Sequence, residues 1–171
     1  DTAFLDRIHA YLPGWEVSKL RNELFTDDFG FIVDYIAEVL KTLRKEDHSK
    51  LYQNYFTLSN TITTRDKTAI EKTFSGLVKI IFPDLEVSKE EVKLLLDFAI
   101  ESRKRVKNQL IKMDETFNED PVYFEYFDKQ NQKFEVQTLE ELEYGEPKEK
   151  VESKENSPNK AGRNPQEILE K

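Results

Sequence analysis

Apolar residues recur every three or four positions over four stretches of the chain, the spacing of an amphipathic helix. The first stretch starts near Asp28, where Thr26 and Asp27 also offer N-cap oxygens, and the second is short, from Ser49 to Leu58. The pattern predicts a mainly helical domain over residues 28–118. The first two apolar stripes, each predicted to be buried, are Phe31, Ile32, Tyr35, Ile36, Val39, Leu40 and Leu43, then Leu51, Tyr52, Tyr55 and Phe56.

The third and fourth helices have clearer limits. The third begins near Thr64 and ends before Pro83, because proline cannot continue a helix. The fourth opens on Ser88-Lys-Glu-Glu91, the sequence of a capping box, and continues to about Met113. Their predicted buried stripes are Ile70, Phe74, Leu77, Val78 and Ile81, then Val92, Leu95, Leu96, Ala99, Arg103, Val106, Leu110 and Met113.

After the helices the pattern becomes alternating and then almost wholly polar. The runs 122–127 and 133–137 are β-prone, and residues 128–132 between them suit a hairpin loop, so we expect a β extension over 119–139. Beyond it, residues 140–171 are rich in Glu, Lys, Pro and Asn with few large apolar side chains. Such a segment buries too little surface to offset its chain entropy, and the sequence predicts a disordered charged tail.

The first fifteen residues form a different kind of pattern. Leu5-Asp6-Arg7 reads as a loop, and the apolar run Ile8–Leu12, closed by Pro13-Gly14, predicts one buried strand. Residues 16–27 follow as a connector. A strand without partner strands predicts that the chain is one part of a longer protein.

Composition narrows the function classes. The formal net charge is −8, which argues against coating nucleic acid with the whole surface. There is no Cys, so disulfides and thiolate zinc sites are excluded, and we expect a cytoplasmic protein. No apolar run is long enough to span a membrane, and the two histidines, His9 and His48, predict no metal site. No G-x-x-x-x-G-K-[ST] loop occurs, so we expect that the chain alone neither holds ATP tightly nor hydrolyses it.

Two sets of residues could carry chemistry, Ser75 with Lys79 and the basic turn 103–107. Ser75 and Lys79 have the i, i+4 spacing of a nucleophile and its base, although small residues at this point also suit close helix packing. The basic turn 103–107 is either a solvated helix end or a DNA contact. His9 is expected at a strand edge without a special role.

A further possible function is the sensing of nucleotide phosphates, for which the candidate residues are Arg7, Arg65 and Lys72. Arg7 is either a surface arginine paired with Asp6 or an arginine finger, which stabilises the phosphoryl group bound by a neighbouring subunit. Arg65 is either solvated, beside the helix-capping Asp66, or the second sensor that reaches from a lid to bound nucleotide. Lys72 is the rival for that second role.

An opening motif and four later segments carry a resemblance to a known family: residues 1–16, then Lys19-Leu-Arg, Gly30 to Tyr35, Arg65-Asp and Lys72 to Lys79. They resemble the BrxL family, Lon-like proteins of the BREX phage-exclusion systems. By that resemblance the chain is the C-terminal part of an AAA+ ATPase module, with Arg7 at the finger position in trans and 28–113 as the helical lid. The family implies ATP and Mg²⁺ in the intact parent, a homo-oligomeric ring and DNA binding. Glu71 stands where an arginine is expected, and no protease dyad can be carried over.

Two functions from different classes therefore remain after the sequence. The first is a part of a Lon-like AAA+ ring protein of phage defence, which contributes the finger and a nucleotide-sensing lid. The alternative is a stand-alone, non-enzymatic helical module that binds a protein partner through its aromatic surface.

Overall fold

The computed structural model describes residues 2–25, 27–30, 32–118 and 122–144. The predicted mainly helical class is confirmed. The α-helices are Thr2–Leu5 (α1, a single turn), Val33–Leu43 (α2), Thr64–Ile81 (α3), Lys89–Met113 (α4) and Leu139–Tyr144 (α5). The strands are Phe56–Leu58 (β1), Glu125–Asp128 (β2) and Lys133–Glu135 (β3), and short 3-10 turns lie at Gly14–Glu16, Asn22–Leu24, Leu51–Asn54 and Glu115–Asn118.

Helices α3 and α4 pack against each other and form the centre of the domain. Each begins at a side-chain cap: the hydroxyl of Thr63 accepts from the amide of Asp66, and Ser88 and Glu91 complete the predicted capping box. Local sequence therefore sets both helix starts. The core between the helices and the sheet contains Tyr52, Phe56, Leu58, Ile62, Ile70, Phe74, Val78, Val92, Leu95, Leu96, Ala99, Ile100, Phe124, Tyr126 and Val136.

The three strands form one antiparallel sheet in the order β1-β2-β3. The hairpin of β2 and β3 is confirmed, with Tyr126 opposite Phe134. The short helix predicted over Ser49–Leu58 is wrong: it holds a 3-10 turn and then β1, in which Thr57 lies opposite Phe127. Local periodicity could not show this, because the hydrogen-bonding partner of β1 lies far along the chain.

Helix α2 differs from the prediction in its start and in its burial. It begins at Val33, not near Asp28, and its N-cap, Ile32, provides no side-chain hydrogen bond. From Ile32 to Leu40 the predicted buried stripe is exposed, with Tyr35 at 59% and Val39 at 41%. Leu43 is half-buried, and Phe31 lies outside the described residues. An amphipathic pattern predicts a helix with an apolar face, but burial also requires an element packed on that face.

The opening segment contains a helical turn and no strand. Residues 2–5 form α1, and the predicted strand Ile8–Leu12 is wrong, since none of the three described strands pairs with it. The segment lies along α4 instead, where the amide of Tyr11 donates to the carbonyl of Ser102 at 3.1 Å. The opening segment is therefore held by contacts with α4 and not by hydrogen bonds to a neighbouring strand.

The first residues of the predicted disordered tail are helical. Residues 140–144 belong to α5, where Glu140 and Glu141 form ion pairs with Arg105 and Lys104 of α4. Residues 145–171 of the predicted tail lie outside the described residues. Over the described part of the chain, no helix combines the length and apolar character needed to cross a membrane.

Candidate functional site

Arg103 of α4 is a fully buried arginine whose hydrogen bonds join three parts of the chain. Its Nε donates to Oδ1 of Asp66 on α3 at 2.7 Å, and its Nη2 donates to Oδ1 of Asp6 at 2.7 Å. Nη1 donates to two backbone carbonyls, those of Asp6 at 3.1 Å and Ile8 at 2.6 Å. The opening segment is therefore fixed to both central helices through one guanidinium.

Asp6 shares its carboxylate between two arginines. Oδ1 accepts from Arg103, and Oδ2 accepts from Arg65 at the start of α3. Burial alone would raise the pKa of Asp6, but the hydrogen bonds from Arg65 and Arg103 outweigh it and leave that pKa below the ordinary 3.8. Asp6 is therefore ionised at neutral pH, and the side chain of Arg65, 57% exposed, lies at the surface end of this pair.

Arg7 lies in the turn after α1 with its side chain exposed. Its Nη1 donates to the carbonyl of Ala3 at 2.9 Å. Within the described part of the chain no carboxylate forms an ion pair with it, so the alternative of a surface pair with Asp6 does not hold. The carboxylates of Asp6 and Asp66 already form ion pairs with Arg65 and Arg103. Neither carboxylate therefore neutralises the charge of Arg7.

Arg7, His9 and Arg65 line an open pocket of about 580 Å³, together with Asp6, Thr64 and Thr68. The structure thus brings Arg7 and Arg65 together, although they are far apart in sequence. Lys72 is exposed two turns along α3, outside the lining but close enough to act on His9. His9, expected to have no special role, is a pocket residue.

Burial, Lys72 and Arg103 all lower the pKa of His9 below its ordinary 6.5. Burial disfavours the charged imidazolium, and each nearby cation repels it. His9 is therefore neutral at neutral pH, and its ring can accept or donate a hydrogen bond in the pocket without adding charge.

Replacement of Lys72 by alanine should raise the pKa of His9, since one repelling charge is removed. An NMR titration of the His9 ring protons in the chain measures this. Lys67→Ala, at another exposed lysine of α3, is the matched control and should leave the His9 titration unchanged. An equal rise in both variants would show a general charge effect and contradict the proximity of Lys72.

The basic turn 103–107 is used inside the domain. Arg105 is buried and pairs with Glu16, Glu101 and Glu140. Lys104 donates to the carbonyl of Val136 at 2.9 Å, and Nζ of Lys107 lies 5.1 Å from the centre of the Phe117 ring. With Arg103 also buried, this turn is not the solvated helix end that was one alternative, and the DNA contact that was the other stays a prediction.

Ser75 and Lys79 do not form a nucleophile–base pair. The hydroxyl of Ser75 accepts from the backbone amide of His48 at 3.0 Å. Nζ of Lys79 donates to the carbonyls of Leu43 and Glu46, each at 3.0 Å, at the C-terminal end of α2. Both residues attach the end of α2 and the chain after it to α3. Close helix packing is not what the small residues provide, because a Cβ added at Gly76 would meet no atom within 4 Å.

Sequence reasoning missed the link between Asp6, Asp66 and Arg103. One signal was present: Arg103 falls on the apolar stripe of α4, between Ala99 and Val106. An arginine on a buried stripe needs acidic partners, because a buried unpaired charge is costly. The identity of those partners was not visible, since they lie 37 and 97 residues away.

A family model described as the Lon-like protease BrxL-like ATPase domain matches residues 1–122. The chain belongs to the BrxL-like family. A Lon-like protease BrxL from Bacillus cereus (strain H3081.97) is 49% identical over 113 residues, which is 66% of this chain and 17% of the relative. The protein of the same name from Escherichia coli O9:H4 (strain HS) is 43% identical over 142 residues, 83% of this chain and 19% of the relative. The chain thus aligns with less than a fifth of either BrxL relative.

The charges that line the pocket suit an anionic group better than they suit a metal ion. Membership of an ATPase-domain family implies ATP and Mg²⁺. The cations Arg7 and Arg65, with Lys72 nearby, match the charge of a terminal phosphate. Among the residues that the structure describes, no three His, Asp or Glu side chains are grouped so as to hold a metal ion, so this part of the chain does not fit Mg²⁺.

Proposed function

We propose that this chain is the nucleotide-sensing part of a Lon-like AAA+ ring ATPase that acts in phage defence. Arg7 is the arginine finger, and it contacts the ATP bound by the neighbouring subunit of a homo-oligomeric ring. Residues 28–118 are the helical lid. The rest of the parent protein, which is cytoplasmic, binds the nucleotide and Mg²⁺, and any DNA contact also lies there.

The single observation that carries this proposal is the state of Arg7. Its guanidinium is exposed at a pocket, beside the exposed Arg65, and no described carboxylate neutralises it. Arg65 and Arg103 form ion pairs with Asp6, whereas Arg7 does not. The guanidinium of Arg7 is therefore available to bind an external anion. A guanidinium suits phosphate, because its planar donors match phosphate oxygens and its charge persists at any working pH.

Arg65 and Lys72 remain alternatives for the second sensor. Arg65 lines the same pocket as Arg7 but is bound to Asp6, so it would have to exchange that carboxylate for a phosphate. Lys72 is exposed, and no described carboxylate forms an ion pair with it. ATP affinity of the parent, measured for Arg65→Ala and Lys72→Ala, distinguishes them: the sensor is the residue whose loss weakens binding.

Mixed rings test whether Arg7 acts in trans. One subunit of the full-length protein carries an inactive phosphate loop and an intact Arg7, and the other carries an intact loop and Arg7→Ala. Rings made of either subunit alone should be nearly inactive. Mixing the two should restore ATP hydrolysis, because the first subunit supplies its arginine to the second. Normal assembly of mixed rings without recovery of hydrolysis would contradict the finger role.

A stand-alone interaction module is the second candidate, and the exposed apolar face of α2 favours it. Tyr35, Ile36, Val39 and Leu40 are each more than 40% exposed. The DNA immediately upstream of the codon for Asp1 separates the two candidates. A phosphate-binding loop encoded in the same frame supports the ring ATPase, and a start codon directly before Asp1 supports the module.

A further inference from the structure

Arg103 holds the backbone on both sides of Arg7. The two carbonyls that accept from its Nη1 belong to Asp6 and Ile8, the residues immediately before and after Arg7. The shorter of these bonds, to Ile8, is 2.6 Å. The peptide groups that set the direction of the Arg7 side chain are therefore attached to the middle of α4.

The guanidinium of Arg103 is itself fixed in orientation. Its Nε and Nη2 both lie 2.7 Å from Oδ1 of Asp66, and Nη2 also reaches Asp6. With the two bonds from Nη1, the guanidinium makes four hydrogen bonds and one further ion-pair contact, that of Nη2 with Asp66. Asp66 is in turn held at the start of α3, where its Oδ2 accepts from the hydroxyl of Thr63 at 2.6 Å.

We propose that Arg103 is a positioning residue for Arg7, which couples the arginine finger to the α3–α4 pair so that the finger and the helical lid move as one unit. This inference rests on the proposed function of Arg7. It means that a displacement of the lid moves the finger with it. Arg103 has no contact with nucleotide, since its side chain is fully buried.

Arg103→Lys in the full-length ring is the decisive variant. Lysine keeps the charge but has one nitrogen, so it cannot hold Asp66 and both carbonyls in the same geometry. We expect a fall in kcat on the order of 10²-fold, the scale of a catalytic group misplaced by about 1 Å, with little change in KM for ATP. If this ring does not assemble, Asp66→Asn removes the same orienting charge at constant volume and should lower kcat in the same way.

Arg105→Lys is the matched control. Arg105 is also buried on α4 and also pairs with carboxylates, but these belong to Glu16, Glu101 and Glu140, none of which flanks Arg7. A purely structural role of buried arginines would lower the thermal stability and the ATPase rate of both variants alike. The proposal requires loss of kcat in Arg103→Lys and a wild-type kcat in Arg105→Lys.

A double variant and hydrogen exchange complete the test. If Arg103 acts through Arg7, Arg103→Lys should cause no further loss of kcat in a ring that already carries Arg7→Ala. Amide exchange over residues 2–11 should be faster in Arg103→Lys than in wild type or Arg105→Lys. Multiplicative losses of kcat, or exchange unchanged by Arg103→Lys, would overturn the positioning role. A normal rate for Arg7→Ala alone would instead reject the finger itself.

Discussion

Arg7→Ala should slow ATP hydrolysis by the full-length protein by roughly 10³-fold or more, the scale that a trans arginine contributes to phosphoryl transfer. Negative charge on the transferred group is stabilised by paired donors of a guanidinium, and the variant removes both the charge and the donors. The side chain is exposed and donates only to the carbonyl of Ala3 among the described residues, so the fold should remain intact. Steady-state kinetics with purified rings measure the effect.

Arg7→Lys and an assembly control separate chemistry from structure. Lysine restores the charge without the planar fork, so the rate should recover only in part. Light scattering and thermal melting should give wild-type ring size and stability for both variants. A loss of hydrolysis that follows a loss of ring assembly would assign Arg7 to the subunit interface and not to the reaction.

Arg103→Ala should lower the free energy of unfolding of the chain by about 3–5 kcal/mol, the usual cost of removing one partner from a buried ion pair. The variant leaves two carboxylates, those of Asp6 and Asp66, with side chains only 12% and 2% exposed and without their shared counter-charge. Domains of this size are stable by only about 5–15 kcal/mol, so the loss is a large part of the total. Urea denaturation followed by circular dichroism gives the value.

Arg65→Ala is the control for this stability prediction. Arg65 also pairs with Asp6, but its side chain is 57% exposed, and pairs screened by water contribute less than about 1 kcal/mol. The two variants therefore remove the same kind of interaction at different depths. Equal losses of stability would show that burial of Arg103 does not carry the effect.

The sequence was sufficient for features that depend on neighbouring residues. The start of α4 was predicted from Ser88 and Glu91, which are close enough to bond each other's backbone. The hairpin of β2 and β3 was predicted from two β-prone runs and a short loop. The opening motif indicated the family, because it is read within one short segment.

The tertiary structure decided the features that depend on distant partners. The apolar stripes of α2 and α4 differ in burial. The stripe of α4 is covered by α3 and the sheet, whereas that of α2 has an equally regular pattern and remains exposed. Strand β1 forms by pairing with β2, where Thr57 lies opposite Phe127. The pattern of residues 49–58 contains no information about that distant partner.

The candidate site shows the same division. Arg7, Arg65 and Lys72 were selected from the sequence by residue type and position, and their roles stay predictions. Their arrangement depends on Arg103, whose bond to the carbonyl of Ile8 spans 95 residues. Helix caps and hairpin turns join atoms a few residues apart, so local sequence encodes them. The long-range bonds of a buried charge exist only once the chain has folded, because only then are the partners in reach.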